Sequence, residues 1–207
     1  MPRTIRGKDM PKLRILSRVL EQWVKINIRC ARAWEADKHV PWWYGERALL
    51  GMLAAAVWLE GGIAFEEFST RKRVGVKEAG PRIYAGRQDL LIHVRGEVFI
   101  AEAKSCWSDA TSSETNLAVW IDKRLDAACA DIQKTPSSGK KRLGLLFVTP
   151  YIRRSQSASA AKRIKSWLES ARKVNYSCCA WVFPGRSRFV GKPRNICPGI
   201  ALFIREV

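Results

Sequence analysis

Arg87 to Lys104, RQDLLIHVRGEVFIAEAK, is the stretch that most restricts what this chain can fold into. Two runs rich in apolar and β-branched residues, Leu90 to Val94 and Val98 to Ala103, flank Arg95-Gly96. Such runs, two residues apart, read as antiparallel strands joined by a tight turn. With the turn at 95–96, Val94 faces Glu97, and the register running back sets Asp89 opposite Glu102. Directly opposed residues lie about 4.5–5.5 Å apart on one face of the pair. Lys104 is two residues beyond Glu102, so strand alternation puts it on that face too. Leu91, Val98 and Ile100 share the face, so two carboxylates and an ammonium stand at one end of an apolar surface. His93 also falls there by parity, nearer the turn, and is read as a structural histidine.

The remaining elements decide what surrounds the hairpin. Residues 12–34 carry Leu13, Leu16, Leu20, Trp23, Asn27, Cys30 and Trp34 at alternating steps of three and four, the period of one helix face. Val19, Ile26 and Ala33 widen this stripe beyond a coiled-coil seam, which favours a helix packed on the main domain over a dimerising or DNA-lying one with Asn27 setting register. Trp42 to Glu60 is apolar on nearly every side and predicts a buried helix ended by Gly61-Gly62, with Glu46 about one turn in. The helix dipole alone favours an acid at that place, and its apolar setting leaves a functional role open. Ile63 to Ser69 reads as a strand, RKRVGVKEAGPR as a short strand or loop, and Ser105 to Asn116 as a loop. Leu117 to Lys134 and Ala158 to Lys173 read as helices, and Leu143 to Val148 as a buried central strand. Cys178 to Phe183 and Ile200 to Ile204 read as further strands. This order predicts an α/β protein: a mixed central sheet flanked by helices, spanning 41–207, with a basic N-terminal helical extension over 1–40.

Charge narrows the partner. The chain carries 37 basic and 19 acidic residues, net +18. Residues 136–207 hold fifteen basic and two acidic side chains, residues 1–40 ten and four, and residues 41–135 twelve and thirteen. Acids therefore gather around the hairpin between basic flanks, a distribution that favours a polyanion and above all nucleic acid. No apolar run is long enough for a membrane span, and the N-terminus lacks a signal-peptide core. The six cysteines form no CxxC pair, so reduced thiols in a soluble cytoplasmic protein are expected. Trp58, Trp120 and Trp167 fall on apolar faces and are expected in the core, against a base-stacking role.

Phosphodiester hydrolysis needs charge stabilised on the phosphoryl oxygens, a hydroxide generated and an alkoxide released. Mg²⁺ serves all three and is held by one or two carboxylates with several waters. Asp89 and Glu102 could hold such an ion (Mn²⁺ could replace it), with the Ala103 carbonyl as a further ligand. Lys104 could orient or deprotonate water, or steady transition-state charge. A solvated salt bridge, worth about 0–1 kcal/mol, is the alternative for such a cluster.

Gln88-Asp89, twelve residues, then Glu102-Ala103-Lys104 resembles the motif of the PD-(D/E)xK nuclease superfamily, the restriction-endonuclease-like fold. The resemblance covers roughly residues 42–150, where the element order also looks like the family core. It implies that Asp89 and Glu102 bind Mg²⁺, that Lys104 assists the nucleophilic water, and that Glu46 joins from the preceding helix. Gln88 replaces the proline of the nominal motif. Gln133 lacks the QxxxY context of one branch, which is therefore not assigned. The expectation is a Mg²⁺-dependent nuclease acting on DNA, an endonuclease, with a homodimer among the expected partners. Lys162, Arg163, Lys165, Arg186, Arg188, Lys192 and Arg194 are expected on the phosphate backbone. The alternative is a non-catalytic DNA-binding or assembly protein that keeps the fold.

Overall fold

Strands β3 (Gly80–Val94) and β4 (Glu97–Asp109) meet through the turn that the sequence predicts: Val94 pairs with Glu97, and the ladder runs back to Leu90 opposite Ala101. Arg95 (φ 51°) and Gly96 (φ 80°) both adopt left-handed backbone, as a two-residue turn matched to strand twist requires. The structure, a computed structural model, describes residues 4–34, 39–76, 80–111, 116–136, 139–185 and 194–207, the side chains of 71–76 and 80–84 excepted.

Two segments are more regular than the sequence suggests. The basic passage expected as a short strand or loop is the outer part of a long ribbon, in which β2 (Ile63–Val76) pairs with β3 from Ile63↔His93 to Val76↔Gly80. The loop expected from Ser105 begins only after Asp109. A parallel neighbour, β5 (Lys141–Arg153), continues the pairing from Phe99↔Lys141 to Asp109↔Tyr151. Polar residues there are held by a ladder that local composition does not reveal.

The sheet is completed by β1 (Ile5–Asp9), β6 (Cys178–Phe183), β7 (Asn195–Ile196) and β8 (Ile200–Glu206). Its order is β1-β6-β8-β5-β4-β3-β2, with β7 paired to the end of β5. The β4–β5 pair is parallel and the others antiparallel, so the sheet is mixed. Helices α1 (Ser17–Ala33) and α2 (Glu46–Leu59) cover one face; α3 (Leu117–Gln133) and α4 (Ala160–Ala171) cover the other. Along β5, Leu143, Leu145 and Phe147 join the first core, and Leu146 and Val148 the second. That explains its unbroken apolar sequence. The chain is thus α/β with helices on both faces of a mixed sheet, as expected. No helix among the described residues is long and apolar enough to cross a membrane.

The N-terminal segment is not an appendage. β1 is hydrogen-bonded to β6 as an edge of the sheet. Helix α1 buries Val19, Leu20, Trp23, Val24, Asn27, Ile28 and Ala31 in the same core as Leu49, Leu53 and Val57 of α2. Burying a Val, Leu or Ile side chain is worth about 1.5–3 kcal/mol, so exposing this stripe costs on the order of 10 kcal/mol, comparable with a whole domain's stability. Asn27 donates to the Trp23 carbonyl (2.8 Å) inside this core and sets no coiled-coil register. At the far end of α2 the reading as wholly buried fails: Trp58 is 53% exposed and Leu59 61%. Gly61 (φ 77°) reverses the chain there, and Gly62 lies so close to the His93 carbonyl that a Cβ would stand 2.7 Å from it. Trp167 is buried as expected, and Trp120 lies half-buried with the Arg124 guanidinium 3.5 Å over its ring.

Candidate active site

Asp89 stands at a gap in the β2–β3 ladder and just past the end of the β3–β4 ladder. On one side the β2–β3 ladder skips the Glu67–Asp89 position, where Glu67 adopts left-handed backbone (φ 50°). On the other the β3–β4 ladder stops at Leu90↔Ala101. The expected opposition of Asp89 and Glu102 holds in register but not as a ladder pair. Side chains take over: Asp89 Oδ2 accepts from the Ala103 amide (2.8 Å), and Gln88 Nε2 donates to the Ala101 carbonyl (2.9 Å) and to Glu102 Oε1 (3.2 Å). Gln88 is fully buried, so the residue standing in the motif's proline position orients the second carboxylate of the set. Glu102 is 4% exposed and Asp89 half-buried.

Glu46 arrives from the first position of α2, after Gly45. Burial first, and then the charge of Asp89, push its carboxyl above the ordinary value; Lys104 and a hydrogen bond from the Ser105 amide oppose them. The Ser105 amide thus reaches Glu46, within the electrostatic influence of Asp89 and Lys104. Lys104 makes an ion pair with Asp131 of α3 (2.8 Å), which also binds Lys134 (2.8 Å). Burial disfavours the Lys104 ammonium, but the hydrogen bond and charge of Asp131, joined by Glu46 and Glu102, outweigh it and raise the pKa. Hydrogen bonds from Lys104 and then Lys134 hold Asp131 below the usual carboxylate range. Sequence reasoning missed Asp131, because which residue of α3 meets β4 depends on how the helix crosses the sheet.

Hard oxygen donors of this kind suit Mg²⁺, which takes one or two carboxylates and keeps its waters. Among the described residues, no three carboxylate, imidazole or thiol side chains are grouped to hold a metal ion, Glu46, Asp89 and Glu102 included. Ala103, next to Glu102 in sequence and bound through its amide to Asp89, is fully buried. His93 pairs across to Ile63 and Val98, toward the turn and away from this cluster.

Of the expected backbone-binding cations, Lys162 and Arg163 line a cavity of about 500 Å³ at the end of β4, with Thr111, Ser159 and Ser166. Arg163 is braced by bonds to Ser159 Oγ (3.0 Å) and the Thr111 carbonyl (3.4 Å). Asp109 also lines this cavity; five residues of strand, about 16 Å at 3.3 Å each, separate it from Lys104. Lys165 is exposed on α4 outside the cavity, and Arg194 is exposed beside Arg154, whose amide donates to its carbonyl (2.9 Å). Arg186, Arg188 and Lys192 lie outside the described residues.

No known family and no curated protein matches this chain. A solved structure described as "Crystal structure of SSO0001" is similar over 66% of this chain and 70% of its own, at 19% identity and a TM-score of 0.24, too weak a likeness to bear on fold or function.

Proposed function

We propose that the protein is a Mg²⁺-dependent nuclease of PD-(D/E)xK type that hydrolyses phosphodiester bonds in DNA. The observation that carries the reading is the convergence of Glu46, Asp89, Glu102 and Lys104, from one helix and two strands, where β3 departs from its neighbours. Asp89, Glu102 and the Ala103 carbonyl would hold the metal, which supplies Lewis acidity and an activated water. Gln88 and the Ala103 amide keep the two carboxylates in place. Lys104, its pKa raised, serves as a cation that steadies phosphoryl charge rather than as a base. Lys162, Arg163, Lys165 and Arg194, with the basic 186–192 segment, would take the backbone. The reading retains a cytoplasmic location, with which six free thiols agree, and a homodimer where both strands of a duplex are cut.

A non-catalytic DNA-binding role draws on one observation, the ion pair that already engages Lys104. Supercoiled plasmid incubated with Mg²⁺ or Mn²⁺ decides between the two. Wild type should nick it, and Asp89→Ala and Lys104→Ala should not. A wild type that shifts DNA in a gel but never cuts it sinks the catalytic reading, and activity untouched by both substitutions sinks the site.

A further inference from the structure

The cations of α1 have no part in the site described above. Lys25, Arg29 and Arg32 recur at steps of four and three, so they share one exposed stripe of the helix. Arg6 of β1 joins them, and the four line a single hollow of about 300 Å³ whose other wall is Ile28. None of the four makes an ion pair with a described residue. Glu21, one turn before Lys25 on the same helix, is paired to Lys8, with the Lys25 charge a lesser influence on it; Glu35 and Asp37 lie outside the described residues. A helix C-terminus favours cations in its last turn, which accounts for Arg32 but not for Lys25 or for Arg6 on a strand. Four like charges around one hollow repel each other unless an anion enters it.

The position of the hollow says which anion. The Arg18–Glu60 pair joins the start of α1 to the end of α2, so the helices run antiparallel. The last turns of α1 therefore lie at the same end of the molecule as Glu46 in the first turn of α2. Arg6 lies on β1, four strand spacings from β4 across the sheet, about 19 Å at 4.8 Å each, so a nucleic acid needs about six base pairs, at 3.4 Å each, to span the hollow and the candidate site. We propose that Arg6, Lys25, Arg29 and Arg32 form a second phosphate-binding surface, which holds the sugar-phosphate backbone of the nucleic acid entering the candidate site. The inference rests on the nuclease reading for its ligand but needs no catalysis.

The test is binding without turnover. Fluorescence anisotropy in EDTA follows a labelled oligonucleotide of about 30 nucleotides, duplex and single-stranded, across a salt series. The triple variant Lys25→Ala/Arg29→Ala/Arg32→Ala should bind at least tenfold more weakly at low salt, with the log–log salt slope reduced by about 2–3. Lys141→Ala removes one charge at the hairpin-turn end and should change Kd less than twofold. Matched thermal melts show that folding is intact, and Arg6→Gln, from a different element, should weaken binding independently. An unchanged Kd and slope in the triple variant, an equal loss in Lys141→Ala, or wild-type binding to phosphatidylserine vesicles but to no oligonucleotide overturns the proposal. Weakened binding beside a wild type that never cuts leaves this surface standing and removes the catalytic reading alone.

Discussion

The two ends of this sheet treat positive charge in opposite ways. At the hairpin turn, Glu60 takes Arg18 and Arg95, and Glu97 takes Lys141. At the other end, where β4, β5 and β6 finish, Arg6, Lys25, Arg29 and Arg32 line one hollow and Lys162 and Arg163 another, with no ion pair to a described residue. Exposed pairs such as those at the turn are worth about 0–1 kcal/mol each, so their absence elsewhere costs little stability. Leaving cations unmatched makes a field that attracts anions. The candidate site lies between the two ends, where acids outnumber bases, and a cation bound there would offset the mutual repulsion of Glu46 and Asp89.

The largest effect should separate chemistry from attraction. Asp89→Asn and Glu102→Gln are expected to lower single-turnover cleavage by about 10³-fold, since each removes charge from the proposed metal site. Both should bind DNA in EDTA at least as tightly as wild type, because a negative charge is gone from a positive surface. Neutralising Lys162 and Arg163 should do the reverse: weaker binding with a shallower salt slope, and cleavage recovered at saturating protein. If both sets of variants lose binding and cleavage together, the division between the two ends is wrong.

A second contrast concerns cations matched inside the fold. Arg205 is mostly buried and bonds Asp122, Asp126 and the Asn175 carbonyl. Arg205→Ala removes those bonds and should cost about 2–3 kcal/mol, or roughly 4–12 °C in Tm for a chain of this size. DNA affinity should stay within twofold, unlike the far-end variants. A smaller effect belongs to Asp131, which holds Lys104. Asp131→Asn removes the chief influence raising the Lys104 pKa, so the alkaline limb of the cleavage profile should move to lower pH. The maximal rate should fall about tenfold, equal to about 1.4 kcal/mol in the barrier. An unmoved limb would show that Lys104 does not govern it.

These contrasts also mark what the sequence could disclose. The hairpin was legible because its determinants are local: alternation, and a two-residue turn with Gly96 in left-handed backbone. Asp89, Glu102, Lys104 and Glu46 followed from that register and from a resemblance. What depends on distant partners was hidden. β4 reaches Asp109 because β5 lies alongside, and β1, five residues without an apolar alternation, is a strand only because β6 offers an edge. Asp131 reaches Lys104 by the crossing of α3, and the Gln88 bond to Glu102 exists because the ladder stops at Leu90. Apolar composition misplaced Trp58: the α2 surface that covers the sheet is shorter than the apolar run.

The smallest effect tests the acidic side of the comparison most directly. In the folded protein the Glu46 carboxyl titrates above its ordinary value, through burial and then through Asp89. A raised carboxyl favours the protonated form in the native state, so its stabilising contribution is complete below the unfolded pKa and is lost as pH rises through the folded one. At neutral pH, ionised Glu46 therefore destabilises the metal-free protein. Glu46→Gln should raise Tm by about 1–3 °C at pH 7 in EDTA and make little difference at pH 4, where wild type is itself protonated. Mg²⁺ should reverse the order, because a bound cation stabilises the carboxylate cluster of wild type more than that of the variant. Calorimetry at the two pH values, with and without Mg²⁺, reads all four terms. A Tm gain in Glu46→Gln that ignores pH would show that it comes from packing, and Mg²⁺ shifts equal in both proteins would place the metal away from Glu46.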